Sequence, residues 1–304
     1  MSSTPQSQPE PVQLLLSDIQ QRLAEFPELG QWPELERLVG RKLSGGRPCW
    51  EFTVDACRAV GGERADAAPG AAVVFGLFYS IHLVDDLLDE DPKGVYHRVG
   101  VGPAANMALA LQSAASRLLG SCGLSPEAEC LAHRALGQAG WGTAFGQMLD
   151  HQDFPGEEAY WRMVGHKTPP LFSFALLLGS LVGGASVEKA QQLARLGALL
   201  GEIVQISDDL GDAMEQPAAP DWRRQATNLP ILFATTAEHA EREAFEALLK
   251  RVDEPEALAE AQAILVRSGA FSFCAYRLIQ AHRKAAGEIK ALDLVRPAAL
   301  LDLF

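Results

Sequence analysis

The chain has 304 residues, 48% of them hydrophobic, and carries a formal net charge of −13 at pH 7. That acidity argues against nucleic acid or an anionic membrane as a partner, because both are bound through basic patches. Five cysteines without a Cys-x-x-Cys pair argue against a disulfide or zinc framework and are typical of reduced thiols in the cytoplasm.

The N-terminal segment, residues 1–10, lacks the basic and apolar regions of a signal peptide, and we expect it to be a disordered lead-in. No linker rich in Gly, Ser or Pro divides residues 11–304, so we expect a single domain there. The longest apolar runs fall short of the roughly 18–20 residues that a membrane-spanning helix requires. The expectation is a cytoplasmic protein without a transmembrane segment.

Hydrophobic residues recur with the period of a helix along nearly the whole chain, and no useful length alternates as a strand would. Breaks that contain Gly or Pro separate the segments. The predicted fold class is therefore all-α. The predicted helices cover residues 10–26, 31–39, 47–61, 66–90, 103–120, 126–151, 157–163, 168–184, 186–213, 227–236, 240–252, 254–268 and 270–290.

Two acidic motifs end long apolar segments, and each reads Asp-Asp-x-x-Asp. The first runs from Asp85 to Asp89 and the second from Asp208 to Asp212. Residues four apart lie on one helix face, about 5–6 Å apart at their β-carbons, so the outer carboxylates of each motif point the same way. Like charges at that spacing repel, and the negative end of the helix dipole adds to the cost. Magnesium ions that hold a polyanion such as diphosphate would offset this repulsion.

A solvated acidic helix end is the other explanation of such a motif. It accounts easily for one motif, but here both follow core-like segments, residues 71–84 and 199–207, where acids are seldom placed without a partner. A calcium loop is disfavoured, because neither motif has the alternating acids, central Gly and terminal Glu of an EF-hand. The sequence therefore favours a metal and diphosphate site built from both motifs.

Six ordered blocks, between about residues 40 and 290, resemble those of the trans-isoprenyl diphosphate synthases, the polyprenyl synthetase family. The two acidic motifs are two of these blocks. The other four are Gly45-Gly46-Arg47-Pro48, Gly146-Gln147-x-x-Asp150, Lys167-Thr168-x-x-Leu171-Phe172, and Asp221 followed by Asn228-Leu229-Pro230. The resemblance implies an isoprenoid-synthase-type helical bundle around a central apolar cavity, and a homodimer.

The same resemblance implies the condensation of an allylic prenyl diphosphate with isopentenyl diphosphate to a longer polyprenyl diphosphate. Three magnesium ions, with diphosphate bound, would assist ionisation of the allylic substrate. The carboxylates that would bind these ions or support their ligands are Asp85, Asp86, Asp89, Asp208, Asp209 and Asp212.

Three further residues have catalytic roles by the same resemblance. Lys167 would add positive charge to the diphosphate. The carbonyl group of Thr168 and the amide of Gln205 would face the allylic carbocation. Gln147 and Asp150 are expected to be supporting hydrogen-bond partners rather than catalytic groups.

The sequence departs from the family where basic residues bind isopentenyl diphosphate. In the first block only Arg47 and Pro48 remain in register, with Arg41 and Lys42 nearby. In the closing block Ala226 stands where the family has a later Lys. An Arg can hold phosphate through two parallel hydrogen bonds, so other cations could take over this task. The candidates are Arg47, Arg98, Lys93, Lys42, Arg223 and Arg224.

The family resemblance also bears on product length. Residues just before the first acidic motif line the tail cavity in this family, and here these are Ser80 and Ile81 rather than the two aromatics that stop chains short. Tyr79 and Phe78 are alternative floor residues. Products of C15 to C20 or longer are expected.

Three hypotheses about function stay open. The first is a prenyltransferase that elongates with isopentenyl diphosphate. The second is an enzyme of the same fold that cyclises a prenyl diphosphate or transfers it to another acceptor, and the eroded basic blocks favour it. The third is a non-catalytic partner subunit, which the intact acidic motifs disfavour.

Overall fold

The computed structural model describes residues 11–43, 49–152, 156–224 and 228–304. These residues form α-helices and short 3-10 turns and contain no strand, so the all-α prediction is confirmed. In chain order the helices are α1 (Pro11–Leu23), α2 (Pro33–Leu43), α3 (Glu51–Ala59), α4 (Ala68–Leu88), α5 (Tyr96–Val99), α6 (Val101–Leu119), α7 (Pro126–Asp150), α8 (Glu157–Lys167), α9 (Pro169–Val182), α10 (Val187–Asp212), α11 (Asp221–Arg224), α12 (Leu229–Thr236), α13 (Arg242–Leu249), α14 (Pro255–Arg267), α15 (Ala270–Ala291) and α16 (Ala298–Leu301).

Each described helix of eight residues or more corresponds to one predicted segment, with ends that differ by a few residues. The four-residue helices α5, α11 and α16 are absent from the prediction, because a single turn is too short to show a hydrophobic period. α8 continues past its predicted end to Lys167, since an isolated glycine such as Gly165 is tolerated inside a helix. Lys167 is therefore the last residue of that helix.

The chain divides into two compact units. Unit 1 comprises the described residues between 11 and 136, together with 174–193 and 294–300. Its central element is α4, which is apolar on all sides over its first ten residues, as expected for a helix in the middle of a core. The first acidic motif therefore lies at the end of a core helix. Fully buried side chains of this unit include Ile19, Trp50, Phe75, Leu77, Met107, Leu119 and Phe174.

The core helix of unit 1 corrects one expectation about length. The stretch Ala65–Leu88 has 24 residues and is apolar enough to cross a membrane by length and composition alone. The prediction that no apolar run reaches that length is therefore wrong. In this structure 67% of the tested window is buried within the protein, as is usual for the core helix of a globular protein.

Unit 2 comprises the described residues between 137 and 173 and between 194 and 293, together with 301–304. One of its hydrophobic clusters surrounds the fully buried Trp222 and joins α11, α12, α13 and α14. Another joins α8, α10, α12 and α15 around Tyr160. This second cluster fixes the end of α10, where the second acidic motif lies.

The organisation of the whole chain stays a prediction in two respects. A single domain over residues 11–304 is not established by a division into two compact units. The predicted disordered lead-in, residues 1–10, lies outside the described residues.

Candidate functional site

The first acidic motif forms the last turn of α4 in unit 1. The backbone N–H of Asp89 donates to the carbonyl oxygen of Asp85 at 2.9 Å, and that of Asp91 donates to Asp86 at 3.0 Å. The chain then leaves the helix at Glu90, whose φ of 54° is left-handed. Asp85 and Asp89 are half-buried and Asp86 is 8% exposed. The motif therefore presents its acids at the negative end of a helix, as the sequence predicted.

A pocket of about 350 Å³ lies beside this motif in unit 1. Its lining carries three cationic side chains, those of Arg41, Lys93 and Arg98, against the two acids Asp86 and Asp91. The remaining lining residues are Leu38, His82 and Val95. A pocket with this excess of positive charge suits an anion such as a phosphate group.

The loop between the first motif and α5 carries Lys93 and leads directly into the helix that carries Arg98. Asp91 accepts a hydrogen bond from the backbone N–H of Lys93 at 2.7 Å, and its carbonyl oxygen lies 3.1 Å from His97 Nε2. His82 Nε2 lies 3.7 Å from Asp86 Oδ1 across one turn of α4. Lys93 and Arg98, both predicted to bind substrate, therefore lie on one pocket.

Two other predicted cations cannot be placed on it. Arg47 lies outside the described residues, and so does the side chain of Lys42 in α2. Arg41, the residue before Lys42 in α2, lines the pocket.

The second acidic motif ends α10 in unit 2, and its outer acids are self-repelling. Although solvent reaches the side chain of Asp208, partial burial raises its pKa, and the charge of Lys167 opposes that shift. Burial likewise raises the pKa of Asp212, and the charges of Asp208 and Glu215 raise it further. A bound cation would relieve this repulsion.

Two more acids belong to this cluster. Lys167 Nζ lies 2.6 Å from Asp150 Oδ2, and Asp150 is 5% exposed. Burial raises the pKa of Asp221 to about 6; a hydrogen bond from Asn228 opposes the shift, and the charges of Asp212 and Asp150 add to it. In the described part of unit 2, the ammonium group of Lys167 thus interacts with four carboxylates, those of Asp150, Asp208, Asp212 and Asp221.

Two glycines let the backbone around Lys167 and Thr168 lie close to both α7 and α10. A Cβ added at Gly146 of α7 would collide with the backbone nitrogen of Lys167. One added at Gly201 of α10 would lie 2.5 Å from the Cα of Pro169. Only glycine lets the α8–α9 junction approach both helices so closely, and this approach brings Thr168 to Gln205.

Asp209 is the buried member of the second motif and accepts three hydrogen bonds. Tyr160 donates its hydroxyl to Oδ2 at 2.6 Å, the backbone N–H of Leu229 donates to Oδ2 at 2.8 Å, and Gln205 Nε2 donates to Oδ1 at 2.8 Å. Burial raises the pKa of Asp209 to about 7, although these hydrogen bonds favour the ionised form. With both oxygens engaged, Asp209 is better suited to support than to ligation.

The hydrogen bonds continue from Asp209 to Thr168 and to Asn228. Thr168 Oγ1 donates to Gln205 Oε1 at 2.6 Å. The carbonyl oxygen of Thr168 accepts from Leu171 N at 3.2 Å, which leaves a second lone pair. Asn228 Nδ2 donates to the carbonyl oxygen of Asp209 at 2.8 Å, and its Oδ1 caps α12. The structure thus brings together Lys167, Thr168 and Gln205 in unit 2.

Four other residues were predicted to bind substrate. Arg223 forms an exposed ion pair with Asp253, and the side chain of Arg224 lies outside the described residues. In unit 1, Ser80 is 3% exposed and donates to the carbonyl oxygen of Leu77 at 2.7 Å. Ile81 is half-buried on the same helix.

Tyr160 is a residue of the site that the sequence analysis did not predict. It lies on α8 and is 1% exposed. The sequence did offer a signal, because Tyr160 precedes Lys167 by seven residues and therefore lies on the same face of the helix. A buried tyrosine hydroxyl also needs a hydrogen-bond partner. That partner, Asp209, is 49 residues away in the chain.

The oxygen donors of the two motifs suit magnesium in kind. In the described residues no group of three or more His, Cys, Asp or Glu side chains is arranged to hold a metal ion. Magnesium usually keeps several waters and takes one or two carboxylates together with substrate phosphates. The donor set therefore fits an ion whose coordination a diphosphate would complete.

Comparison with characterised proteins gives the family. The sequence model of the family described as polyprenyl synthetase matches residues 44–265. Geranylgeranyl pyrophosphate synthase 7 of Arabidopsis thaliana is 32% identical over 177 residues, which is 52% of this chain and 50% of that protein. Nonaprenyl diphosphate synthase of Mycobacterium tuberculosis is 28% identical over 266 residues, 79% of this chain and 77% of that one. The chain thus spans only about half the length of the Arabidopsis thaliana protein.

Solved structures share the fold. The polyprenyl synthetase of Streptomyces coelicolor A3(2) superposes with a TM-score of 0.73 at 26% identity, covering 85% of this chain and 84% of its own. The polyprenyl synthase of Caulobacter crescentus CB15, complexed with calcium and isoprenyl diphosphate, gives 0.77 at 22% identity and covers 96% and 92%. Since the family match covers more than half of the sequence, the chain belongs to the polyprenyl synthetase family.

Proposed function

We propose that this protein is a trans-prenyltransferase that condenses an allylic prenyl diphosphate with isopentenyl diphosphate to a polyprenyl diphosphate of C15–C20 or longer. The observation that carries the proposal is the cationic pocket beside the first acidic motif. Elongation needs a second diphosphate site made of cationic side chains. Arg41, Lys93 and Arg98 would form that site.

The allylic substrate would bind through its diphosphate. Magnesium, as three ions held by Asp85, Asp89 and Asp208 with support from Asp86, Asp209 and Asp212, would supply the positive charge that stabilises the leaving group. Lys167 would add a fixed positive charge, and Asp150 holds its ammonium group in place at 2.6 Å. The raised pKa values of Asp208 and Asp212 support this assignment, because burial disfavours both charges and Asp208 also repels Asp212, and a bound cation would offset both effects.

The reaction would proceed by ionisation and capture. The allylic carbon–oxygen bond breaks, and its electron pair leaves with diphosphate. The carbonyl oxygen of Thr168 and the amide oxygen of Gln205 would face the resulting carbocation. The double bond of isopentenyl diphosphate then forms the new carbon–carbon bond, and the proton lost from its second carbon passes to the released diphosphate.

A second candidate is an enzyme that cyclises the prenyl diphosphate or uses another acceptor. The ion pair between Arg223 and Asp253 favours this candidate, because Asp253 binds one of the cations that were predicted to bind isopentenyl diphosphate. The cationic pocket in unit 1 favours elongation, and so do the names of the two relatives described above, both prenyl diphosphate synthases. A non-catalytic subunit is disfavoured, because both acidic motifs are intact.

We propose a cytoplasmic homodimer as the working form. One supporting observation is an exposed apolar face on α7, where Trp141 is 79% and Met148 is 39% exposed. These residues are seven positions apart and so share a face with Gly137 and Ala144. A second copy of the chain would cover them.

The test of the elongation proposal separates the two substrates. We expect Arg98→Ala and Arg41→Ala each to raise the Michaelis constant for isopentenyl diphosphate roughly 10- to 100-fold, because a charged hydrogen bond to phosphate is worth about 1.5–3 kcal/mol. The constant for the allylic substrate should change much less. Arg283→Ala, at an exposed position of α15 outside the pocket, is the matched control. Equal increases for both substrates would contradict the assignment of the pocket.

A further inference from the structure

We infer that Tyr160 is a positioning residue for the ionisation step: through Asp209 it holds the amide of Gln205 in the orientation that the reaction requires. The inference rests on the proposed function, in which oxygen atoms of Gln205 and Thr168 face the carbocation. It adds a residue of α8 that neither acidic motif contains.

Tyr160 is placed to act only as a hydrogen-bond donor. Its side chain is 1% exposed and packs in the cluster that contains Ile206, Leu229 and Cys274. Its hydroxyl donates to Asp209 at 2.6 Å. Burial and the neighbouring Asp209 raise the pKa of Tyr160 well above its usual value, so the phenol stays protonated.

The donors around Asp209 determine which way Gln205 points. Oδ2 of Asp209 already accepts from Tyr160 and from Leu229 N, so in the ionised carboxylate Oδ1 is the acceptor that faces Gln205. Gln205 must therefore turn its NH₂ group towards Oδ1, at 2.8 Å. A flipped amide would set its oxygen against a carboxylate oxygen.

The fixed amide in turn directs its oxygen towards Thr168. Gln205 Oε1 accepts from Thr168 Oγ1 at 2.6 Å, which leaves one lone pair of that oxygen for the substrate. The partial negative charge of this oxygen is a preorganised dipole of the kind that stabilises charge in a transition state. The path from Tyr160 to that dipole consists of two hydrogen bonds.

Loss of the Tyr160 hydroxyl should therefore slow ionisation without weakening substrate binding. The groups that would bind the diphosphate, Lys167 and the outer acids, make no hydrogen bond to Tyr160 among those described. A purely structural role would lower thermal stability and leave the turnover number of the folded enzyme unchanged. The two roles thus differ in kcat.

The experiment measures diphosphate release from an allylic diphosphate with magnesium, in the wild type and in Tyr160→Phe. We expect kcat to fall roughly 10- to 100-fold, as for loss of a hydrogen bond to a charged group, and KM to stay within about twofold. Tyr276→Phe, at an exposed tyrosine of α15 in the same unit, should leave both constants unchanged. The same comparison in a Gln205→Met background should show less than about a threefold further loss, because the hydroxyl then has no amide to orient.

An equal kcat loss in both backgrounds, or a change confined to KM, would overturn the inference. If Tyr160→Phe does not fold, Asp209→Asn breaks the same link with nearly the same shape, and a folded Asp209→Asn enzyme with wild-type kcat would also overturn it. Release of diphosphate without incorporation of isopentenyl units would instead overturn only the proposed acceptor. A wild-type protein that never releases diphosphate would overturn both.

Discussion

Lys167 Nζ and Asp150 Oδ2 form a 2.6 Å ion pair in which the Asp150 side chain is almost fully buried. Removing one partner of such a pair leaves an uncompensated buried charge, which costs more than the pair itself contributes. Asp150 therefore fixes the position of the one ammonium group among the described acids of unit 2. Among the described residues, the acids Asp208, Asp212 and Asp221 thus retain a negative excess that a bound cation would balance.

This ion pair yields a prediction about substrate binding. Lys167→Met should raise the Michaelis constant for the allylic diphosphate roughly 10- to 100-fold through loss of a charged hydrogen bond, and should lower the melting temperature because Asp150 is left unpaired. The double variant Lys167→Met with Asp150→Asn should recover the melting temperature and keep the raised constant. Recovery of both would show that Lys167 acts only on the fold.

The acidic motifs are tested by removing one outer carboxylate from each. Asp85→Ala and Asp208→Ala should each abolish turnover in magnesium, while circular dichroism shows an unchanged helix content, since removing one of several like charges relieves repulsion. Asp302→Ala, at an exposed acid outside both motifs, is the control. Wild-type activity in both motif variants would refute the proposal that these two motifs bind magnesium.

The raised pKa of Asp221 predicts a pH dependence of stability. Its pKa is about 6 in the folded protein against 3.8 for an ordinary Asp, so the folded state holds more protons than the unfolded state between these values. Stability from this group therefore falls as pH rises from about 4 to about 6 and is then constant. In Asp221→Asn, the fall in unfolding free energy over that range, measured by urea titration without divalent cations, should be smaller. An identical slope in wild type and variant would contradict the shift.

Product length tests the expected tail cavity. Ser80 is buried on α4 five residues before Asp85, and a phenylalanine there would occupy the space that we expect for the growing tail. Ser80→Phe should therefore shorten the main product, whereas Ser80→Ala should leave it unchanged. An active Ser80→Phe enzyme with an unaltered product distribution would mean that Ser80 does not line the cavity.

The sequence predicted the helices and the acidic ends of α4 and α10, because helix periodicity and the Asp spacing are local properties. It did not place Arg41 on the pocket, since the direction of a side chain turns by about 100° from one helix residue to the next. It also missed the partners that arise only from tertiary packing. Asp209 meets Tyr160 across 49 positions, and Arg223 meets Asp253 across 30.

The burial of Asp209 is another feature that the local sequence pattern could not predict. Asp208 and Asp209 are equivalent in the motif, yet the first is reached by solvent and the second is 1% exposed. Which of two adjacent acids turns inward depends on the helices that pack against α10. Cluster contacts from α8, α12 and α15 decide it here.

Elongation is tested most directly by the masses of the products. Purified protein is incubated with magnesium and a panel of allylic diphosphates, with and without isopentenyl diphosphate. We expect longer prenyl diphosphates, extended by whole isopentenyl units, only when both substrates are present. Consumption of the allylic diphosphate with release of diphosphate and no incorporated isopentenyl unit would contradict elongation and leave cyclisation or another acceptor in its place.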